Sequence, residues 1–238
     1  MRYIWATGTD QGRVRERNED SRFPHDAGSA EGPILVAVAD GMGGHVAGNV
    51  ASNLAIEAAT APAIDDDIAV EQRVAAANDA IIELAGEDPT LSGMGTTMTL
   101  GIFERDGTLR LAHVGDSRGY LLRNGELSQL TDDHTVVAEL VELGHLSSDA
   151  ADDHPQRHLL TRSLGLGPVT VDGFSVELEA SDRVLLCSDG LTTMLADDEI
   201  SAILGEDKSV ESVVWDLIEA ANSAGGLDNT TVAVIDAR

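Results

Sequence analysis

The most informative pattern in the chain is a run of six apolar residues, 34–39, that leads directly into an acid, Asp40. A short apolar run without polar alternation predicts a strand that is buried on both faces. Gly41, Gly43 and Gly44 follow at once, and they allow a sharp turn and the close approach of other groups. We therefore expect Asp40 to emerge at the edge of a core, although an isolated Asp-Gly pair is more typical of a plain turn.

Hydrophobic periodicity along the rest of the chain predicts blocks of strands and helices. This order, with antiparallel hairpins in the middle, favours an α+β layered fold over a regular βαβ alternation. The predicted strands are 3–9, 34–39, 96–103, 109–114, 120–122, 127–130, 169–178, 184–187 and 230–235, and the predicted helices are 45–60, 68–85, 134–143, 197–204 and 210–221.

Local turn and cap signals refine this arrangement. Asp-Gly at 106–107 and Asn-Gly at 124–125 predict two-residue hairpin turns, and Asp-Gly at 172–173 is also interpreted as a turn. The pair 132–133, both Asp, can cap the helix that follows. Residues 145–168 form a long polar connection, a length that is uncommon inside a domain and often functional.

Composition limits the class of protein. A chain of 238 residues, 42% of them hydrophobic, can bury a large core in one domain or two small ones, and no linker separates two halves. The single cysteine, Cys187, excludes an internal disulfide and a Cys-rich zinc site. No apolar run approaches the roughly 20 residues of a membrane span, and the first residues do not resemble a signal peptide. We expect a cytoplasmic protein with no membrane partner.

The formal net charge of −27 argues against nucleic acid as a partner, because nucleic-acid binding relies on a basic surface. The acids are spread along the chain, which is typical of a strongly solvated surface. Positive charge is concentrated in one place, where four of the fourteen arginines fall within ten residues. They are Arg13, Arg15, Arg17 and Arg22.

Acids stand repeatedly at the ends of apolar runs that are predicted to be buried. Singly, each could be a cap or a turn residue. If they converge, two carboxylates about 4 Å apart repel by about 4 kcal/mol at an effective dielectric near 20, so the group would require protons or cations. These acids are Asp40, Asp116, Asp189 and Asp228, with Asp20 in the Arg-rich segment as a fifth candidate.

Oxygen ligands without cysteine or an obvious histidine cluster favour Mg²⁺ or Mn²⁺ over zinc. Two such ions about 3.5–4 Å apart can support in-line displacement at phosphorus. The Arg-rich segment could then hold the phosphate through paired hydrogen bonds. The residue types alone therefore indicate metal-dependent phosphate chemistry, provided that the acids converge.

Eight short motifs, in order and covering nearly the whole chain, resemble those of the metal-dependent Ser/Thr protein phosphatases of type 2C, particularly the bacterial members. A single motif of this kind would carry little weight, whereas eight in order are highly specific. They are VRERNED (14–20), DGMGGH (40–45), GMGTT (93–97), HVGDSR (113–118), LTDDHT (130–135), LTRSLG (160–165), CSDGL (187–191) and LDNTT (227–231).

The resemblance implies a four-layer αββα sandwich in which two antiparallel β-sheets are flanked by helices. It implies one catalytic domain over residues 1–238, with a mobile flap at about 145–168. The implied activity is hydrolysis of phosphoserine and phosphothreonine in proteins by a water activated between two Mn²⁺ or Mg²⁺ ions, without a phosphoenzyme. Implied partners are phosphorylated proteins, namely Ser/Thr kinases and their substrates in signalling, and we expect a monomer.

The resemblance also implies roles for individual residues. Asp40 would bridge two ions, with the Gly41 carbonyl binding one of them. Arg15, four residues before Glu19, matches the phosphate-binding arginine. The other implied ligands are Asp189 and Asp228 for the first ion, Asp20 for the second, and Asp116 for a third, weaker ion. The implied catalytic set is Arg15, Asp40, Asp189 and Asp228.

Two positions differ from some relatives. Met42 replaces a histidine that in many eukaryotic relatives is a candidate acid for the leaving alkoxide, so the general acid is either a metal-bound water or another histidine. Thr193 stands where some relatives carry another acidic ligand. Two alternative functions stay open: a non-catalytic module that binds phosphoproteins, and a metal phosphohydrolase of small phosphate esters.

Overall fold

Two antiparallel sheets lie face to face in the computed structural model, which describes residues 1–43, 47–147, 150–151 and 154–238. The first sheet has the strand order β3-β1-β12-β11-β8-β9, and the second has the order β10-β7-β6-β4-β2, with β5 paired to β4. The strands are β1 (Arg2–Asp10), β2 (Asp20–Phe23), β3 (Gly28–Glu31), β4 (Ile34–Met42), β5 (Gly95–Thr96), β6 (Met98–Phe103), β7 (Thr108–Val114), β8 (Arg118–Arg123), β9 (Glu126–Gln129), β10 (Asp172–Glu177), β11 (Arg183–Cys187) and β12 (Thr230–Ala237).

Helices cover the outer face of each sheet. The helices are α1 (Ala47–Thr60), α2 (Val70–Glu87), α3 (Val136–Glu142), α4 (Asp189–Thr192), α5 (Asp197–Leu204) and α6 (Val210–Ser223), with a 3₁₀ turn at Pro89–Leu91. Helices α1 and α2 pack on the second sheet, α5 and α6 pack on the first, and a third core cluster fills the space between the sheets. This is the predicted four-layer αββα sandwich.

Strand β4 shows why the apolar run carries no polar alternation. Leu35, Ala37 and Ala39 pack beneath α1 and α2. Ile34, Val36 and Val38 face the opposite way, into the core between the sheets. Because side chains alternate along a strand, both faces of β4 must be apolar, as predicted.

Two short strands were not predicted, and several strands, among them β1, β4, β8 and β12, extend beyond their predicted bounds. Strands β2 and β3 are only four residues each and are largely polar, so their sequences carry no strand pattern of their own. Strand β4 continues through Asp40 to Met42, whereas the prediction ended it at 39. Helix α1 begins at Ala47 within the described residues, and the predicted start at 45 lies outside them.

Three predictions about turns and caps were wrong in detail. The β6–β7 connection is a three-residue loop with Gly107 at φ +102°, because Glu104 and Thr108 still pair; the predicted two-residue turn occurs only at 124–125. Asp172 is the first residue of β10 and not a turn residue. The cap of α3 is Thr135, whose side chain accepts from the backbone N–H of Ala138, while Asp133 pairs with Arg118.

A buried arginine fixes the end of α1. Arg73, on α2, is 1% exposed, and its guanidinium donates to the backbone carbonyls of Ala59, Pro62 and Ala63 at 3.3, 2.9 and 2.6 Å. The last carbonyls of a helix have no partner within the helix, and a cation near them is favourable. Arg73 therefore joins α2 to the C-terminal end of the helix that packs on β4.

We expect Arg73→Leu to lower the free energy of unfolding by about 2–4 kcal/mol, because buried carbonyls lose charge-assisted donors. Chemical denaturation followed by circular dichroism measures this. The matched control is Arg110→Leu, which removes an exposed partner of Glu104 and should cost less than about 1 kcal/mol. Equal losses in the two variants would contradict the role given to Arg73.

Candidate active site

The predicted acids meet at one end of the sandwich because of strand register. Asp40 follows Ile34, Val36 and Val38 on the face of β4 that looks between the sheets. Asp20 is the direct antiparallel partner of Asp40, and directly opposed residues share a face. The second sheet therefore presents two adjacent carboxylates at this end.

The first sheet contributes acids at the same end. Asp189 comes two residues after β11, and Asp228 comes two residues before β12, its antiparallel neighbour. Asp116 lies in the three-residue loop 115–117, through which the chain crosses from β7 in the second sheet to β8 in the first. Convergence, which the sequence left as an assumption, follows from the sandwich.

A cavity with a volume of about 710 Å³ opens at this end of the molecule. Asp20 does not line it and is buried beside Asp40, with 7% of its surface exposed. The other predicted metal, phosphate and catalytic residues all line the cavity: Arg15, Asp40, Gly41, Asp116, Asp189 and Asp228.

Backbone hydrogen bonds hold Asp40 in place. Its N–H donates to Thr97 Oγ1 at 3.0 Å. Its carbonyl accepts from the N–H of Thr97 at 2.9 Å and from Thr96 Oγ1 at 2.8 Å. At Gly41 the chains approach so closely that an added Cβ would lie 2.1 Å from the carbonyl oxygen of Gly48, so only glycine fits there.

Two buried carboxylate oxygens have no hydrogen-bond partner among the described residues: Asp20 Oδ1 and Asp189 Oδ1. The other oxygen of Asp20 accepts from Ser188 Oγ at 2.8 Å. Buried polar atoms are nearly always paired, and a buried carboxylate without a partner carries a large desolvation cost. These oxygens are therefore free to accept a proton or bind a cation.

Burial and mutual repulsion raise the pKa values of three of the acids. Burial raises the pKa of Asp20 to about 7, and the charges of Asp189 and Asp228 add to this effect. Burial and the neighbouring Asp189 likewise raise the pKa of Asp116 to about 7. The pKa of Asp40 lies well above its usual value, through burial first and then the charge of Asp20.

Positive charge compensates only part of this cluster. Arg15 donates to Asp228 Oδ2, and His158 Nδ1 lies 3.7 Å from Asp189 Oδ2. Within the described residues, Asp20, Asp40 and Asp116 form no ion pair with Arg or Lys. The site as a whole has an excess of negative charge that a divalent cation would neutralise.

The donor set fits a hard cation. It consists of carboxylates and a backbone carbonyl position, which suit Mg²⁺ or Mn²⁺. In the part of the chain that the structure describes, no three His, Cys, Asp or Glu side chains are spaced closely enough to hold an ion as they stand. Binding would therefore require the carboxylates to turn inward, and Arg15 to leave Asp228.

The 145–168 segment supplies lining residues that the sequence did not single out. Arg157, His158 and Leu160 line the cavity, whereas four neighbouring residues, 148–149 and 152–153, lie outside the described part of the chain. His158 lies at the surface, with its ring facing Asp189. Its position beside this cavity had no local sequence signal, because only the fold brings 158 next to 189.

Asn229 was also missed, and it organises the Arg-rich segment. Its Oδ1 accepts from the N–H of Glu19 at 2.9 Å. Its Nδ2 donates to the carbonyls of Gln11 and Arg17, each at 2.8 Å. The amide thus fixes the loop that carries Arg15. Met42 and Thr193, the two positions that differ from some relatives, line the cavity as well.

Comparison with known proteins places this architecture in a family. The family model described as protein phosphatase 2C matches residues 7–228. A serine/threonine phosphatase stp from Listeria monocytogenes is 40% identical over 96% of this chain and 93% of its own length. The serine/threonine protein phosphatase PstP of Mycobacterium tuberculosis is 44% identical over 98% of this chain, which corresponds to 44% of PstP.

Solved structures of bacterial phosphatases have the same fold as this chain. A crystal structure of the Mycobacterium tuberculosis phosphatase PstP/Ppp superposes with a TM-score of 0.91 at 42% identity, covering 100% of both chains. The catalytic domain of PstP in complex with two manganese ions gives a TM-score of 0.87 at 41% identity, covering 99% of each chain.

The chain belongs to the protein phosphatase 2C family, and the family predicted from the eight motifs is confirmed. Among the described residues, no helix is both long and apolar enough to cross a membrane.

The raised pKa values predict how the stability of the metal-free protein depends on pH. Asp20 and Asp116 bind protons more tightly when folded, with pKa values of about 7, than in the unfolded chain, where carboxyl pKa values are near 4. The folded state therefore holds more protons between about pH 4 and 7, and stability falls as the pH rises through that window.

We expect the melting temperature in excess chelator to fall between pH 5 and pH 8, and to fall less in Asp116→Asn. Added Mn²⁺ should raise the melting temperature more at pH 8 than at pH 5, because ions bind ionised carboxylates. Scanning calorimetry at both pH values measures this. The same pH slope in wild type and Asp116→Asn would contradict the assignment of the raised pKa to Asp116.

Proposed function

We propose that this protein is a metal-dependent protein serine/threonine phosphatase, which hydrolyses the phosphate monoesters of phosphoserine and phosphothreonine. The observation that carries the proposal is the convergence of five carboxylates beside Arg15, with two buried carboxylate oxygens lacking partners in the described structure. Family membership supports the same activity.

Asp40 would bridge two Mn²⁺ or Mg²⁺ ions, because it lies between the acids of the two sheets. Asp189, Asp228 and the Gly41 carbonyl would complete the first ion's shell, and Asp20 would serve the second. Asp116, on the crossing loop, would serve a third, weaker ion. When bound, such ions supply an acidified water and neutralise charge on the phosphoryl group.

Arg15 would hold the phosphate. Its side chain is 53% exposed and reaches the cavity from the loop that Asn229 organises. A planar guanidinium binds phosphate oxygens through paired, charge-assisted hydrogen bonds. Arg15 donates to Asp228 in this structure. With ions and substrate bound, Asp228 would pair with a cation and Arg15 with the phosphate, so two new ion pairs would replace the one between these residues.

The chain's own contribution is positioning. The backbone bonds of Asp40 to Thr97 and the close packing at Gly41 hold the central ligand before any substrate binds. Preorganised groups of this kind lower the barrier because they need little rearrangement during the reaction. His158, on the flap, and a water at the ions are the two candidates for the proton donor that Met42 cannot supply.

We place this activity on phosphorylated proteins, with Ser/Thr kinases and their substrates as partners in signalling. We treat residues 1–238 as one catalytic domain that acts as a cytoplasmic monomer, with 145–168 as its flap. Membership of the family supports the assignment to phosphorylated proteins. Sedimentation of the purified protein and pull-down of phosphorylated proteins would test the monomer and the partners.

Asp40→Asn should abolish Mn²⁺-dependent release of phosphate from a phosphothreonine peptide. The expected loss is on the order of 10³-fold or more in kcat, since each bound ion contributes several kcal/mol. Phosphate release with and without chelator measures it. Full activity in the variant, or in wild type with excess chelator, would contradict a metal-dependent mechanism that uses Asp40.

The substrate class is tested in the same assay. Faster turnover of free nucleotides than of phosphopeptides would indicate a phosphohydrolase of small esters. An inert wild type that still bound the phosphopeptide would indicate a non-catalytic binding module.

Arg15→Ala should lower kcat/KM for the phosphopeptide roughly 10- to 100-fold, because a charge-assisted contact to the phosphate is lost. Arg13→Ala is the matched control, since Arg13 belongs to the same segment but does not line the cavity; it should change kcat/KM by less than about threefold. Steady-state kinetics on both variants measures these changes. Equal losses of kcat/KM in the two variants would contradict a specific role for Arg15.

A further inference from the structure

A cluster of three polar side chains lies behind the Asp116 loop, outside the cavity and unused by the proposed reaction. His134 is 4% exposed and belongs to the LTDDHT motif, to which the sequence assigned only a place in the family. Its ring bonds to Asp172, which the sequence interpreted as a turn residue, and Asp172 in turn pairs with Arg162, at the returning end of the flap.

His134 forms two hydrogen bonds with Gly115, the residue before Asp116. The backbone N–H of His134 donates to the carbonyl of Gly115 at 2.8 Å. The backbone N–H of Gly115 donates in return to His134 Nδ1 at 3.0 Å. The position of the Asp116 loop therefore depends on both the backbone and the ring of His134.

The hydrogen bonds assign the proton on the ring. Nδ1 accepts from Gly115, and burial lowers the pKa of His134, so the neutral imidazole carries its hydrogen on Nε2. Nε2 lies 3.1 Å from Asp172 Oδ2 and donates to it. Asp172 Oδ1 accepts from Arg162 Nη1 at 2.8 Å. Asp172 and Arg162 thus fix both the tautomer and the orientation of the ring.

The loop has little freedom to adjust if this support changes. Gly115 has φ +112°, and an added Cβ would lie 2.5 Å from Thr97 Cγ2. Ser117 is held on the other side of Asp116: its hydroxyl bonds to Thr97 Oγ1 at 2.7 Å, and its carbonyl accepts from Thr99 Oγ1 at 3.0 Å. A change at His134 must therefore reach Asp116.

We propose that His134, oriented by Asp172 and Arg162, is a positioning residue that sets the affinity of the ion bound by Asp116. The proposal rests on the proposed function of Asp116 as a metal ligand. Side chains that orient metal ligands from behind typically change affinity 10- to 100-fold when they are replaced. Here the support acts through the backbone of Gly115, so it tunes the site without touching the ion.

Two substitutions of His134 separate its two contacts. In His134→Asn the amide oxygen can occupy the place of Nδ1 and accept from Gly115, while the contact with Asp172 is lost. In His134→Gln the longer side chain can reach Asp172 from the place of Nε2, while the bond to Gly115 is lost. We therefore expect His134→Gln to weaken Mn²⁺ binding more than His134→Asn does.

The readout is Mn²⁺ binding to the metal-depleted full chain, measured by calorimetric titration and by the spin resonance of free Mn²⁺. Asp116→Asn first identifies the Asp116-dependent binding class. We expect His134→Gln, which loses the bond to Gly115, to weaken that class roughly 10- to 100-fold, and His134→Asn, which keeps that bond but not the contact with Asp172, to weaken it by no more than about tenfold. The classes that depend on Asp40 should be unchanged.

Asp172→Asn provides a second, milder test in case a substitution at His134 prevents folding. It keeps the size of a side chain that is 31% exposed, and it should weaken the same class by about tenfold. The matched control is Asp182→Asn, a buried acid paired with Arg123 at the start of β11, the opposite end from Asp189. It should lower the melting temperature and leave all Mn²⁺ classes unchanged.

Three outcomes would overturn the inference: no Asp116-dependent class in wild type, unchanged affinity in both His134→Gln and Asp172→Asn, or equal effects in these variants and Asp182→Asn. Phosphopeptide hydrolysis by wild type, measured in parallel, keeps the two proposals apart. Active wild type with unchanged Mn²⁺ affinity in the variants removes only the role of His134. Inactive wild type under all metal conditions removes the proposed function.

Discussion

Repulsion among buried carboxylates is the constraint on which the rest of this structure depends. Asp20, Asp40 and Asp116 all have raised pKa values because they are buried beside other acids. A fold that assembles such a group must hold it by other means, since the acids themselves disfavour the assembly. The energy comes from three hydrophobic clusters, one between the sheets and one beneath each helical layer.

The sandwich explains why the acids are distributed so widely in the sequence. Two packed sheets expose strand ends from distant parts of the chain at a common edge, and the loop 115–117 crosses between the sheets at that same edge. A ligand set drawn from both sheets can form only when the layers have packed. Metal binding and folding are therefore coupled, because each bound cation stabilises only the packed state.

Periodic, apolar elements could be predicted from the sequence, and elements that depend on neighbours could not. Strand β4 and helix α5 were found because one or both faces are core. Strands β2 and β3 were missed because their pairing with β4 and β1 supplies the order that their residues lack. Asp133 was interpreted as a cap because its true partner, Arg118, lies fifteen residues away in sequence. For the same reason the acids could be named but their convergence could not be derived, and Asn229 and His158 carried no signal.

The supports of Asp40 and Asp116 differ in kind, and under the proposed function this difference predicts two metal sites of different strength. Asp40 is part of a strand: it pairs with Asp20 on β2, and its carbonyl accepts from the backbone N–H of Thr97; altering these backbone contacts requires the sheet to open. Asp116 lies on a loop that side chains help to hold: Gly115 donates to the ring of His134, which Asp172 orients, and Ser117 bonds to Thr97 and Thr99. A side-chain support can be changed without unfolding the sheet. If these acids bind ions as proposed, the fold itself sets the geometry at Asp40, whereas the affinity at Asp116 can be tuned by substitutions distant from the ion.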